Sequence, residues 1–223
     1  MPNGSAPPFE SLLRRAAQAA ASEWGYAAPT EAFYEQFAAR IPDDTGAEIA
    51  RGVRDNRVVL DTYRFTLPDL GPDKGPYAFF SRNREPGVPS PNWEYFIQLA
   101  EYLRILRTVR SSLRVGFEDG LMDVSVRDDQ RLIWYIEAKE RASQANRLLD
   151  GLATHAAGVD MTSVDRGNDP LRKAKYLVKY RPVFLTVIAI GWRRDYAVQY
   201  PDDQSFALIP LAEPPALGEV VHA

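Results

Sequence analysis

The sequence predicts an α/β fold in which helices flank a mixed central sheet. Three observations carry this expectation. Helical spacing over residues 92–110 gives way to three strand-like segments, then to helices, then to a further strand. The run "VFLTVIAIG", residues 183–191, is apolar on both faces and rich in β-branched residues, as a strand covered on both sides is. It is reached from an equally apolar strand at 131–139 through helices, so those two strands are expected to be parallel while the hairpins are antiparallel.

In chain order, the first seven residues are rich in Pro, Gly and Ser and read as a loose tail. Residues 9–24 and 30–41 read as short Ala-rich helices separated by "GYAAPT", with Thr30 as an N-cap. After "PDDTG" a strand is expected around "RVVLDTYRFTL", followed by the turn-rich connections "PDLGPDKGP" and "REPGVPSP". Residues 1–91 thus form an N-terminal extension of helices and short strands, and residues 92–223 the core. The core opens on "NWEYFIQLAEYLRILRTVR", where Asn92 is a candidate N-cap and Tyr95, Leu99, Tyr102, Leu106, Val109 and Leu113 recur at helical spacing. A strand near "LRVGFED" follows, then a hairpin of strands 121–127 and 131–139 turning at "RDDQ", and a helix over 142–157. The loop "GVDMTSVDRGN" leads to a helix with Pro170 in its first turn, and the tail "DYAVQYPDDQSFALIPL" is expected to add a terminal hairpin.

Composition narrows the chemistry. The chain has no cysteine and two histidines, His155 and His222, which excludes disulfides, thiolate nucleophiles, zinc clusters and iron–sulfur centres. A net charge of -3 argues against coating nucleic acid by bulk charge but leaves room for a local basic groove. No run approaches the roughly 18 apolar residues of a membrane-spanning helix, and "MPNGSAPPFESLLRRAA" lacks a signal-peptide core, so a soluble, cytoplasmic protein is expected.

The segment "GLMDVSVRDDQRLIWYIEAKE", residues 120–140, carries the candidate site. Alternation puts Tyr135, Glu137 and Lys139 on one face of a strand and Trp134, Ile136 and Ala138 on the other. An uncompensated charge on so apolar a strand costs several kcal/mol. A turn centred near Asp129 would set Asp123 opposite Tyr135 and make Glu137 its diagonal neighbour. Such neighbours lie roughly 7–8 Å apart, a gap two carboxylates can close onto one ion. Oxygen-only ligands suit Mg²⁺, which would lower the pKa of a bound water while Lys139 orients it or stabilises phosphorane charge.

At Asp123 and "EAK", Glu137, Ala138 and Lys139, the sequence resembles the PD-(D/E)XK nuclease superfamily, the restriction-endonuclease-like fold. The resemblance spans residues 92–191, where the element order matches the family's αβββαβ core, and leaves residues 1–91 uncovered. It implies an endonuclease dependent on Mg²⁺, with Mn²⁺ also able to serve, acting on DNA in bacterial defence, restriction or DNA processing. Asp123 and Glu137 would then be metal ligands and Lys139 a catalytic group. A glutamate from the first core helix would be an auxiliary acid and ligand. Glu94 and Glu101 both fit, since at about 100° per residue they fall within roughly 20° of one another. Glu94 is preferred because the family glutamate usually lies in the first turn. Met122 stands where the motif's Pro would be, and Glu118 and Asp119 are either rival acids or turn residues before Gly120.

Other candidates each have a plainer reading. Gln144 could meet the lysine or substrate, or lie on the helix surface. Arg104, Arg107, Arg110 and Arg114 fall within about 120° on the expected helix, so Arg107, Arg110 and Arg114 form either a phosphate-tracking stripe or a solvated face. Lys173, Lys175, Lys179 and Arg181 pose the same choice. Trp192 and the arginines of "GWRRD" could stack on DNA or close a strand end. His155 suits a helix C-terminus. Residues 1–91 could mediate a homodimer or receive a partner protein. The alternative function is a non-catalytic nucleic-acid-binding or assembly module that keeps the fold. A serine hydrolase using His155 would need a G-x-S-x-G elbow, which the sequence lacks.

Overall fold

A computed structural model describes residues 9–83, 87–120, 122–165 and 169–217. The expected N-terminal tail and His222 lie outside the described residues, as does part of the loop before Pro170. The chain forms two compact units, Met1–Arg104 and Ile105–Ala223, and the expected extension falls within the first.

In the first unit, α1 (Phe9–Trp24) buries Leu12, Leu13, Ala16, Ala17 and Ala20 along one face. Helix α2 (Glu31–Ala38) is capped by Thr30, whose hydroxyl accepts from Phe33 N at 3.4 Å. It ends three residues earlier than its sequence spacing predicts. A third helix, α3 (Asp43–Arg54), occupies what the sequence presents as a connection. Its acids Asp43 and Asp44 at the start and Arg51 and Arg54 at the end complement the macrodipole. Gly46 and Gly52 mask it, yet both are packing residues: a Cβ would lie 2.7 Å from the Phe9 ring and 2.6 Å from Leu103 respectively. The strand expected around residues 57–67 is a hairpin, β1 (Val59–Asp61) and β2 (Arg64–Thr66), reversing at Thr62 with φ 57°. A 3-10 turn at Pro68–Leu70 precedes β3 (Tyr77–Ala78), which completes a three-stranded antiparallel sheet. Strands β4 (Phe80–Ser81) and β5 (Ser90–Pro91) pair separately. The unit's core is aromatic, with Phe79 stacked on Phe96 at 4.7 Å and Phe37 edge-on to Phe96 at 4.9 Å. Asn92 spends its side-chain amide on Ala78 O at 2.7 Å, just before α4 (Trp93–Thr108).

Helix α4 runs across the division between the units and stops at Thr108. Val109 and Leu113, expected on its apolar face, fall beyond it, and Leu113 opens β6 (Leu113–Asp119). Strands β6, β7 (Met122–Asp128) and β8 (Arg131–Ala138) form an antiparallel meander. Helices α5 (Ala142–His155) and α6 (Pro170–Tyr180) then return the chain to β9 (Phe184–Ala189), parallel to β8 with Tyr135 beside Leu185 and Glu137 beside Val187. Hairpins add β10 (Trp192–Gln199) and β11 (Ala207–Pro210), giving the order β11-β10-β9-β8-β7-β6. The fold is α/β, a six-stranded mixed sheet with helices, as the sequence predicts. On one face, Tyr135, Leu185 and Val187 join Ala145, Leu148 and Leu152 of α5 and Ala174 and Leu177 of α6 in a single core. The two helices approach closely because Gly151 has no side chain: a Cβ there would lie 2.4 Å from Pro170. On the other face the polar atoms are paired, Trp134 Nε1 donating to Thr186 Oγ1 at 2.8 Å and Thr186 Oγ1 to Asp195 Oδ1 at 2.5 Å. No helix of the described residues is long and apolar enough to cross a membrane.

Candidate active site

The β7–β8 register decides which side chains meet. Val124 faces Ile136, Ser125 faces Tyr135 and Val126 faces Trp134, whereas Arg127 faces Leu132 and Asp128 faces Arg131. Strand β8 therefore carries one extra residue, Ile133, at a bulge. Continuing this register sets Asp123 opposite Glu137, not opposite Tyr135 as a turn centred on Asp129 would have it. The turn contributes one residue of the difference, since Asp129 and Gln130 form its two-residue tip with Asp129 at φ 50°. The bulge contributes the other. Without the bulge Asp123 would face Ile136 and point away from Glu137. The expected diagonal pair is thus a direct one, for which Cβ atoms lie roughly 5 Å apart.

Asp123 Oδ2 accepts from Ala138 N across the strands at 2.5 Å. Burial and the neighbouring Glu137 carboxylate push its carboxyl well above the ordinary range, and Lys139, the Ala138 amide and Lys173 offset this only in part. Glu137, 1 % exposed, accepts from three donors. Its Oε1 accepts from Lys139 Nζ at 2.6 Å, and its Oε2 from Tyr135 Oη at 2.6 Å and from Lys173 Nζ at 2.7 Å. Lys139 Nζ also donates to Ala138 O at 2.8 Å. Burial first, then Glu137, raises the Tyr135 phenol, so it stays protonated and donates. Glu137 is thus compensated by two ammonium groups, not one.

Lys173 is the member of this cluster that sequence spacing left among surface cations. It is 6 % exposed and sits in the first turns of α6, fixed by Pro170 at the helix start and by the Asp169 cap on Leu171 N at 2.9 Å. A signal was present: Lys173 stands four residues before the buried Leu177 and next to the buried Ala174, on the core face of an amphipathic helix.

The remaining candidates have surroundings of their own. Glu94 is exposed in the first turn of α4, whereas Glu101 is 2 % exposed and bonded to Arg104 at 2.5 Å, with Arg104 also reaching Asp44 at 3.2 Å. Among the described residues no three carboxylate or imidazole side chains gather at one point. Asp119 accepts from Ser125 Oγ at 2.7 Å and Arg127 Nε at 2.9 Å, and Glu118 takes φ 48°, so both serve the end of β6 where the chain turns into β7. The basic stripe is not a helix face. Arg107 is in the last turn of α4, Arg110 is in the connection and Arg114 is on β6, all three exposed. Gln144 Oε1 accepts from Arg141 N at 3.0 Å, a helix-capping role. His155 closes α5, partly buried. Lys175 reaches Asp165 at 3.0 Å, Lys179 lies over the Tyr180 ring at 5.0 Å, and Arg181 pairs with Asp203 at 3.1 Å. Arg193 is committed to Asp195 at 2.7 Å and Arg194 stacks on Trp192 at 5.6 Å.

The donors around Asp123 are all oxygens, namely its own carboxylate, that of Glu137 and the Ala138 carbonyl. A cation already sits between two of them, the Lys139 ammonium. Such a set fits a hard divalent ion such as Mg²⁺ or Mn²⁺. No family model, curated protein or solved structure matches the chain.

Proposed function

We propose that the protein is a divalent-metal-dependent nuclease of the PD-(D/E)XK kind that hydrolyses phosphodiester bonds, in DNA before RNA. The observation that carries this reading is the convergence of Asp123, Glu137 and Lys139 at the end of β8. Asp123 and Glu137, with the Ala138 carbonyl, would hold Mg²⁺ or Mn²⁺, and Glu94 is the proposed auxiliary acid. The bound ion would supply a water of lowered pKa and neutralise charge on the scissile phosphate. Within the chain, Ala138 N orients Asp123, and the Tyr135 hydroxyl holds Glu137 Oε2. The Lys139 ammonium, 13 % exposed, is the cation placed to orient the attacking water or to meet charge developing on phosphate oxygens. Arg107, Arg110 and Arg114 are proposed phosphate contacts. Residues 1–91 would serve a second copy or a partner protein, and the site of action would be the cytoplasm.

A second reading has its own support. Glu137 accepts from three donors inside the chain, and such a cluster also suits a non-catalytic nucleic-acid-binding or assembly module that keeps the fold. The two are separated by incubating supercoiled, linear and single-stranded DNA and RNA with the protein in Mg²⁺, Mn²⁺ or chelator. Cleavage that requires the divalent ion supports the nuclease. Binding without cleavage under every condition supports the module.

A further inference from the structure

Glu137 has two oxygens, and they face different partners. Oε1 meets Lys139, the less buried lysine. Oε2 is gripped by the Tyr135 hydroxyl at 2.6 Å and by Lys173 Nζ at 2.7 Å, in a pair whose side chains are 2 % and 8 % exposed. We propose that Lys173 is a positioning residue for Glu137: it anchors Oε2 so that Oε1 is presented to Lys139 and to a bound cation, and its charge sets how tightly that cation binds. This rests on the nuclease reading for the cation, while the anchoring stands on the geometry alone.

The charge count gives the second half of the proposal. Asp123 and Glu137 carry two negative charges when ionised, and Lys139 and Lys173 carry two positive ones. A cluster that is already neutral holds a divalent ion less tightly than the two acids alone would. The position of Lys173 is built rather than incidental. Pro170 starts α6 against the bare Gly151 of α5, and Leu171, Ala174 and Leu177 seat that helix in the core. Lys173 therefore reaches Glu137 from a packed helix, whereas Lys139 follows the last residue of β8.

The test compares wild type with Lys173→Met, a neutral side chain of similar length, and with Lys173→Arg, using Mn²⁺ binding by electron paramagnetic resonance and cleavage at saturating metal. Removing the charge should tighten Mn²⁺ binding by about tenfold or more, because a unit positive charge a few ångströms from the ion is gone. It should also slow cleavage at saturating metal by at least about tenfold, because Glu137 is no longer held. Lys173→Arg should restore the metal affinity toward that of wild type. A lysine that merely packs α6 would lower the melting temperature without tightening Mn²⁺ binding, and unchanged or weaker binding in Lys173→Met overturns the charge role. A second arm, in chelator, is a thermal double-mutant cycle with Glu137→Gln. The pair should be coupled, the double variant melting higher than the sum of the two single losses. Additive losses overturn the anchoring. If wild type binds no Mn²⁺ at millimolar concentration, the nuclease reading and the charge role fall together, and the cycle still decides the anchor.

Discussion

Replacing Asp123 by asparagine separates a cation site from a structural charge network. The carboxyl of Asp123 is raised well above its ordinary value of 3.8, chiefly by burial and then by Glu137. A folded value above the unfolded one means that the native state keeps its proton to higher pH than the unfolded chain does. The penalty is absent below about pH 3.8 and accumulates as pH rises toward the folded value, at about 1.4 kcal/mol per pH unit. For a chain of 223 residues, 1 kcal/mol corresponds to about 2–4 °C in melting temperature, so wild type in chelator should lose about 3–5 °C per pH unit across that window. Asparagine cannot ionise, and its carbonyl oxygen can still accept from Ala138 N. Asp123→Asn in chelator should therefore lack this slope and melt no earlier than wild type at pH 7. With Mg²⁺ at about ten times its Kd, wild type should gain about 1.4 kcal/mol, again about 3–5 °C, and the variant nothing. Scanning calorimetry between pH 4 and 8, with Mg²⁺ or with EDTA, reads both quantities. An Asp123→Asn protein that melts far below wild type in EDTA, while wild type ignores Mg²⁺, would refute the reasoning and assign the two acids to a structural network.

Lys139→Ala should lose metal-dependent cleavage yet keep most of the Mg²⁺ stabilisation, since the ammonium is not a ligand; a plasmid assay beside the melting curve checks both. Glu94→Gln should lower cleavage more than Glu101→Gln does. In EDTA the order reverses for stability, because Glu101 is buried against Arg104 and its loss should cost about 1–3 kcal/mol, whereas Glu94 is exposed. Replacing Arg107, Arg110 and Arg114 by glutamine should flatten the log-log salt dependence of DNA binding by about 0.9 per lost phosphate contact, and a fluorescence-anisotropy titration with an unchanged slope would leave them as solvated charges.

Much of this architecture is legible because it rests on local rules. Period-two apolar alternation marks β7, unbroken apolar runs mark β8 and β9, and the helices between β8 and β9 force those two to be parallel. The sequence signals fail where one residue changes the geometry. Helical spacing continues arithmetically through Val109 to Leu113, but the backbone leaves the helix at Thr108, which dissolves the basic stripe into a helix end, a connection and a strand. Two glycines at contact points hide α3. The bulge at Ile133 is invisible to alternation, because Leu132, Ile133 and Trp134 are all apolar and no polar residue marks the slip.

That bulge and Lys173 together answer why a strand as apolar as "LIWYI" runs into Glu137 and Lys139. Turn and bulge bring two carboxylates face to face, which is unfavourable in a buried place, and α6 supplies a second lysine that no rule about strands could foresee. Stability alone gives little reason for such a cluster, since well-packed apolar residues in place of buried ion pairs are often neutral or stabilising by about 1–4 kcal/mol. Glu137 is held by three donors, two of them lysines, while Asp123 keeps a raised carboxyl even with both lysines nearby. Two acids set face to face, with a less buried lysine next to them, are the arrangement that the proposed nuclease needs, and the Asp123→Asn melting curves decide between it and the assembly module.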